Sequence, residues 1–157
     1  AVQNGKTTVL QNGRLVLARE WDPENQLDFL AIQLPSGRRL YYANPCIGQN
    51  RFGKPSLCYM GMNQTSKKWE MLETYGGKLA ENVTQAVARD CLAEAIDRLE
   101  AAGYPIVFHI HDEVVIDAPP GKQNLKEVER IMSQPPFWAE GLPLAADGWV
   151  NQFFKKE

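Results

Sequence analysis

The N-terminal part of the chain contains short β-prone runs of mainly apolar residues, separated by polar and glycine-containing turn segments. Two β-prone runs in "TTVLQNGRLVLA" surround Asn12 and Gly13, residues that readily adopt the positive φ angles of a type I′ turn. The runs "LDFLAIQLP" and "RRLYYAN" flank Ser36 and Gly37 in the same way. The pattern therefore predicts two consecutive β-hairpins.

Two more elements are expected before residue 78. Residues 56–62, "SLCYMGM", are short, apolar and rich in strand formers, and they predict another strand. Residues 44–55, "NPCIGQNRFGKP", are rich in Gly, Pro and Asn, and this composition predicts a loop.

After Lys78 the apolar residues recur every three or four positions, which is the period of a helix. The repeat runs from Leu79 to Leu99 and stops before Gly103-Tyr104-Pro105, so we predict an amphipathic helix of about seven turns. This helix carries Glu81, Gln85, Arg89 and Asp90 on or near the flanks of its apolar stripe. Four elements are predicted after it: strands "PIVFHIH" and "VVIDAP", a short helix "LKEVERIM", and a last strand "GLPLAADGWV".

Length and composition fit one globular core or one lobe of a larger protein, with 157 residues of which 44% are hydrophobic. No segment approaches the roughly 18 apolar residues of a membrane span, and no signal segment is evident. We therefore expect a soluble, cytoplasmic protein with no membrane partner. Three cysteines without a C-x-x-C pair predict buried free thiols. The chain begins at Ala1 rather than Met, which we interpret as a sign of a fragment.

The charge is distributed unevenly, although the net value is only -2. Residues 36–78 contain seven basic and two acidic side chains, and the remainder of the chain is acidic. A basic middle followed by an acidic end is compatible with phosphate binding on one side and metal binding on the other. An ordinary solvated surface explains the same charges.

The residues "HIHDEVVI", His109 to Ile116, place two histidines and two carboxylates at the predicted turn of a tight hairpin. Strand alternation predicts that His109 and His111 share one face. Three interpretations fit the spacing: an exposed polar turn, a magnesium site at Asp112 and Glu113, or a zinc hydrolase using His109, His111 and Asp112.

A family resemblance bears on this choice. "YGGKLAENVTQAVARDCLAEAIDRLEAAGYPIVFHIHDEVVIDAP", with "LPSGRRLYY" before it and "GLPLAADGW" after it, resembles the C-terminal palm of family A DNA polymerases, the DNA polymerase I type, and most of all their phage and prophage branch. The similarity covers about residues 27–154. It implies an α+β fold, with antiparallel β-hairpins packed with the long helix. Residues 1–77 are then a fingers-derived β-rich segment, and residues 78–157 belong to the palm.

The resemblance also implies roles for individual residues. Asp112 corresponds to a palm carboxylate that binds the catalytic Mg²⁺ ions, and Glu113 to its less essential acidic neighbour; both are candidate catalytic and metal residues. His111 resembles the histidine beside the primer terminus, and Gln85 the glutamine at the minor-groove edge of the new duplex. Lys78 and Arg89 are further DNA-binding candidates on the same helix. The implied partners are primer-template DNA and deoxynucleoside triphosphates.

Several family features are absent or altered. The first palm aspartate and the triphosphate-binding fingers helix have no convincing match, so the two-metal site needs a residue outside this chain. Asp28 and Lys67 superficially match those motifs, but we interpret both as coincidences and expect residues 28–38 to form a β-hairpin. Glu81 stands where bacterial relatives carry an asparagine, and Asn82 follows it, so the DNA contacts of this turn are in doubt. The isolated chain is therefore expected to be inactive.

Two alternatives to a polymerase fragment stay open at this point. One is a non-catalytic prophage remnant that binds nucleic acid or a partner. The other is the small zinc hydrolase, which predicts stoichiometric zinc in the purified protein.

Overall fold

The computed structural model describes residues 1–3, 5–50, 52–119, 121 and 124–154 of the chain. Arg51, one of the basic residues of the middle segment, lies outside the described residues. The chain divides into two compact units, Ala1–Ala86 and Val87–Glu157, and each is considered by itself.

The first unit is built on a six-stranded antiparallel sheet whose strands follow one another in sequence order. Each strand pairs with the next one along the chain, so every connection is a turn between neighbours. The strands are β1 Thr8–Leu10, β2 Leu15–Asp22, β3 Leu27–Gln33, β4 Arg39–Gln49, β5 Pro55–Met62 and β6 Trp69–Thr74.

Both predicted hairpins are confirmed, with one difference in turn length. Asn12 and Gly13 adopt the expected positive φ angles, 54° and 90°. The last paired residues are Leu10 and Leu15, so the loop has four residues rather than the two of a type I′ turn. Gln11 also has a positive φ of 52°, and the Arg14 amide donates to its carbonyl at 3.1 Å. Residues 11–13, all with positive φ, thus form a left-handed turn that lengthens the connection.

The predicted loop at residues 44–55 is wrong in its first half, because β4 continues to Gln49. The strand accommodates Pro45 through a register shift between Ala43 and Cys46, with Asn44 at a positive φ of 46°. A bulge of this kind tolerates a residue that has no amide proton to donate. Strand β5 matches its prediction, whereas β6 was not anticipated.

The two superficial polymerase motifs are accounted for by the sheet. Asp28 lies in β3, where its carboxylate accepts from Arg19 Nε at 2.6 Å and the two residues form an ion pair. Lys67 lies in the β5–β6 turn with a positive φ of 55°, and a strand follows it rather than a helix. The prediction that residues 28–38 form a hairpin is confirmed.

One face of the sheet carries the core of the first unit. Leu30, Ile32 and Tyr42 form a buried cluster, against which Leu79 and Val83 pack from the following helix. Burying an aliphatic side chain of this size contributes about 2 kcal/mol, so this face fixes the sheet and the start of the helix together.

The long helix, α1, spans Gly76–Ala101 and confirms the periodicity prediction. Its end is a Schellman motif, in which Gly103 N donates to Glu100 O at 2.9 Å and Tyr104 N to Leu99 O at 3.0 Å. Gly103 takes the required left-handed φ of 85°. Asp90, which was expected on a flank, is instead buried at 8% exposure.

The second unit contains the remainder of α1, a two-stranded sheet and a second helix. Its strands are β7 Ile106–Ile110 and β8 Glu113–Ile116, and α2 spans Leu125–Met132 as predicted. Asn124 caps α2 by accepting the Glu127 amide at 3.2 Å. Buried residues of the unit come mainly from its helical segments: Cys91, Leu92, Ala95, Leu99, Ile131 and Ala139.

The predicted strand at residues 141–150 is wrong, since this segment has no regular structure. Side chains rather than a neighbouring strand satisfy two of its amides: Ala146 N donates to Ser133 Oγ at 3.0 Å and Gly148 N to Glu129 Oε1 at 3.2 Å. A β-prone sequence forms a strand only when an edge pairs with it.

The fold is therefore α+β, with antiparallel sheets and a long helix, as expected. Among the described residues, none of the helices is both long and apolar enough to cross a bilayer. All three cysteines are free, and Cys58 and Cys91 are buried as predicted, whereas Cys46 is exposed.

Candidate functional site

The candidate site is the turn between β7 and β8. Ile110 pairs with Glu113, so His111 and Asp112 form a two-residue turn and Glu113 begins β8. The backbone of His111 has a left-handed φ of 52°, which residues other than glycine rarely adopt, although histidine tolerates it better than most. This conformation ends the strand at Ile110. The predicted alternation therefore does not extend to His111, and His109 alone lies within β7, opposite Val114.

The acidic residues of the turn face water. Asp112 and Glu113 are both exposed, and so are His109 and His111. Neither carboxylate makes an ion pair or a side-chain hydrogen bond with the part of the chain that the structure describes. Two adjacent negative charges without a protein cation repel each other, and a bound cation relieves that repulsion. The turn thus presents two oxygen donors to solvent on a short hairpin.

The strands that carry this turn have little burial of their own. Val107 is 60% exposed and Phe108 is 38% exposed. Phe108 has an edge-to-face contact with Phe154, with ring centroids 5.2 Å apart. A two-stranded hairpin by itself is marginally stable in water, so the acidic turn lies on one of the least buried elements of the second unit.

The donor set suits magnesium better than zinc. No three His, Cys, Asp or Glu side chains converge on a common point within residues 1–3, 5–50, 52–119, 121 and 124–154. The zinc set of His109, His111 and Asp112 is therefore not assembled. Magnesium binds through one or two carboxylates together with phosphates and waters, and Asp112 and Glu113 are oxygen donors of that type.

The candidate DNA-binding residues of α1 are exposed. Lys78 and Gln85 belong to the first unit, and Arg89 belongs to the second unit with the hairpin. Lys78 Nζ lies 3.1 Å from Glu81 Oε2, and this hydrogen bond with the carboxylate raises the pKa of Lys78. Lys78 therefore stays positively charged, and its ammonium group is ion-paired with the Glu81 carboxylate.

Asn82, which follows Glu81 in the first half of α1, is held by the sheet. Its side chain donates to Tyr42 Oη at 2.9 Å. Burial raises the pKa of this Tyr42 hydroxyl, and the Asn82 bond opposes part of that rise. Asn82 thus ties α1 to β4.

One contact near Gln85 was missed by the sequence analysis. Arg38 Nη2, from the β3–β4 turn, donates to the carbonyl of Ala86 at 2.9 Å. The helix periodicity and the hairpin signal were each visible in the sequence, but nothing in either indicated that they meet here. The concentration of basic residues after residue 36 was the available signal.

Comparison with known proteins gives one informative match. The chain is 50% identical over 158 aligned positions to a protein named DNA polymerase from Bacillus phage SP02. The alignment covers the whole of this chain and 23% of that protein, so the chain spans about a quarter of the length of this curated relative. No family model matches the sequence. No solved structure matches it either.

Proposed function

We propose that this chain is part of a template-directed DNA polymerase of the family A type, and that the β7–β8 turn supplies carboxylates to its nucleotidyl-transfer site. The observation that carries the proposal is the 50% identity, across the whole chain, to a phage DNA polymerase. The exposed carboxylates Asp112 and Glu113 lie within the aligned region, on a turn where water and a metal ion both have access. The proposed location is the cytoplasm.

In this proposal Asp112 is the principal metal ligand and Glu113 assists it. Their oxygen atoms suit Mg²⁺, which favours carboxylates, phosphate oxygens and water. Held by these carboxylates, a pair of such ions would lower the pKa of an attacking hydroxyl and stabilise charge on the leaving pyrophosphate. Two divalent ions need more anionic ligands than this turn contains, so we place the second aspartate outside this chain.

The remaining residues position the nucleic acid. His111, adjacent to Asp112 in the turn, is proposed to contact the primer terminus. Gln85 is proposed to donate to the minor-groove edge, where acceptor atoms lie in similar places in every correct base pair. Lys78 and Arg89 are proposed to contact the phosphate backbone. These contacts orient the primer without reading its sequence.

Primer extension tests the proposal. The 157-residue chain and a longer protein continued upstream in the same gene are compared on primed DNA with Mg²⁺ and all four deoxynucleoside triphosphates. We expect extension by the longer protein, none by the 157-residue chain, and none by the longer protein carrying Asp112→Ala. If the longer protein carrying Asp112→Ala still extends primers, the metal-binding role proposed for the β7–β8 turn is wrong. Stoichiometric zinc in a protein that does not extend primers favours the hydrolase instead.

A further inference from the structure

The turns of the six-stranded sheet fall at two opposite ends. In an antiparallel meander alternate turns share an end, so the β1–β2, β3–β4 and β5–β6 turns lie at one end. The β2–β3 and β4–β5 turns lie at the other. We call the first set the basic end, and it comprises residues 11–14, 34–38 and 63–68.

The two ends differ in charge. The basic end carries Arg14, Arg38, Lys67 and Lys68, all of them exposed, and none of its turn residues is acidic. Arg39 follows directly in β4, but it is paired with Glu20 at 3.0 Å. Glu70 of β6 places one carboxylate beside the β5–β6 turn, so three positive charges remain in excess at the basic end. At the opposite end Asp22, the last residue of β2, and Glu24 offset Lys54 among the described residues. Three of the seven basic residues of segment 36–78, Arg38, Lys67 and Lys68, thus lie at one end of the sheet, together with Arg14.

The turns of the basic end are held in place by hydrogen bonds. Gly37 N donates to Leu34 O at 2.9 Å, and Leu34 N donates to Arg38 O at 2.8 Å. In the β5–β6 turn Asn63 Oδ1 accepts the Thr65 amide at 2.8 Å. The nearest carboxylate there, Glu70, accepts from Ser66 Oγ at 3.0 Å. The cations of these turns are therefore supported by ordered backbone.

The basic end also lies beside the candidate DNA-binding segment of α1. The 2.9 Å bond from Arg38 to Ala86 O joins the β3–β4 turn to the residue that follows Gln85. Both groups belong to the first unit, so this juxtaposition is internal to it. A duplex that touches Gln85 therefore passes close to positive charge from the sheet.

We propose that the basic end is a second nucleic-acid contact, which binds the sugar–phosphate backbone of the duplex that Gln85 is proposed to touch. Successive turns of this end are two strands apart, or about 10 Å. That distance corresponds to roughly three base pairs of rise along DNA. A row of Arg and Lys at this spacing matches a phosphate backbone, and its binding is independent of base sequence and weakened by salt. The inference rests on the proposed function, since that function makes duplex DNA the partner.

Fluorescence anisotropy with the 157-residue chain and a labelled primer-template duplex, titrated over a range of salt concentrations, tests this site. The variant Lys67→Gln/Lys68→Gln removes two charges from the basic end. The control Lys6→Gln/Lys54→Gln removes two exposed charges elsewhere, so the net charge of the two variants is equal. All substituted side chains are exposed, and thermal unfolding verifies that both variants remain folded.

We expect the basic-end variant to bind about tenfold more weakly and to lose about two units of the slope of log affinity against log salt. The control is expected to stay within about twofold of the original chain, with its slope unchanged. Adding Arg14→Gln to the basic-end variant lowers the slope by about one further unit. Equal losses in both variants, or no binding by the original chain, overturn the proposal.

The outcome is separable from that of primer extension. Anisotropy does not depend on catalysis, and Asp112→Ala is expected to keep the salt slope of the original chain. If primer extension survives Asp112→Ala while the basic-end variant binds DNA more weakly, the catalytic role proposed for Asp112 is wrong and the proposed binding site is supported. If extension requires Asp112 but the basic-end variant binds normally, only the binding site fails.

Discussion

The six-stranded sheet and the β7–β8 hairpin are both antiparallel, but they are stabilised to very different degrees. Leu30 and Ile32 in the sheet are each 2% exposed, whereas Val107 in the hairpin is 60% exposed. The sheet has five strand pairings and a face covered by α1, and the hairpin has one pairing. The residues proposed to carry the chemistry thus lie on the less stabilised of the two elements.

This difference has a physical reason. A turn with the proposed role has to expose its carboxylates to metal ions, triphosphate and primer, and exposure removes the burial that stabilises a strand. The sheet has no such requirement on its core face. This difference in burial predicts that substitutions in the core of the sheet lower the free energy of unfolding. Substitutions at the β7–β8 turn are expected to lower the rate of the proposed reaction instead.

The largest stability contrast is expected between Leu30→Ala and Val107→Ala. Truncating the buried leucine removes packing and leaves a cavity, which costs about 3 kcal/mol of unfolding free energy. The exposed valine costs less than about 1 kcal/mol. Urea unfolding followed by circular dichroism measures both values. Similar losses in the two variants mean that the hairpin is as well packed as the sheet.

A smaller effect is expected for the hydrogen bond that joins α1 to β4. Tyr42→Phe leaves Asn82 without its acceptor and lowers the unfolding free energy by about 1 kcal/mol. The exposed Tyr75→Phe serves as the control and is expected to be neutral. The same urea titration measures the unfolding free energy of both variants. An unchanged value for Tyr42→Phe means that this hydrogen bond does not stabilise the packing of α1 on β4.

The pH dependence of that effect follows from the raised pKa of Tyr42. Below its ordinary value of 10.0 the phenol is protonated in both the folded and the unfolded chain, and its full contribution is present. Above that pH the unfolded chain ionises first, so the stability contributed by Tyr42 is lost as pH rises towards the folded pKa. Unfolding measured from pH 9 to 11 is therefore expected to show the gap between the original chain and Tyr42→Phe narrowing. A constant gap contradicts the assigned burial of the hydroxyl.

The smallest effect compares one backbone conformation in the two regions. His111 and Lys67 both have left-handed φ angles, 52° and 55°, and glycine relieves that strain. We expect Lys67→Gly to raise the unfolding free energy by about 0.5 kcal/mol, because its turn belongs to the cooperative sheet. We expect His111→Gly to raise the unfolding free energy by less, since the hairpin contributes little to global stability. A larger gain from His111→Gly reverses the ranking of the two regions.

Much of the fold was readable from local sequence signals. Gly13 and Gly37 mark turns where positive φ is needed, and the three- and four-residue repeat from Leu79 marks α1. Strand β6 was missed because "WEMLET" has no clean alternation, and its pairing with β5 decides its conformation. The false strand at 141–150 shows the converse, because its β-prone residues have no strand to pair with among those described.

The candidate site was located from the sequence but its chemistry was not. The turn at His111 and Asp112 follows from two apolar runs separated by polar residues, and the structure confirms that turn. Spacing alone did not distinguish a polar turn, a magnesium site and a zinc site. The contact between Arg38 and Ala86 depends on how the sheet packs against the helix, and a local pattern does not encode that packing.

Single-nucleotide incorporation by the longer protein, with Asp112→Asn compared with Asp117→Asn, tests the central claim most directly. Both substitutions remove one exposed carboxylate and keep its size, and Asp117 lies just beyond the end of β8. If Asp112 holds the metal ions, its variant loses roughly a thousandfold or more in rate, while Asp117→Asn stays within about twofold. Equal rates for the two variants contradict the assignment of the β7–β8 turn to the active site.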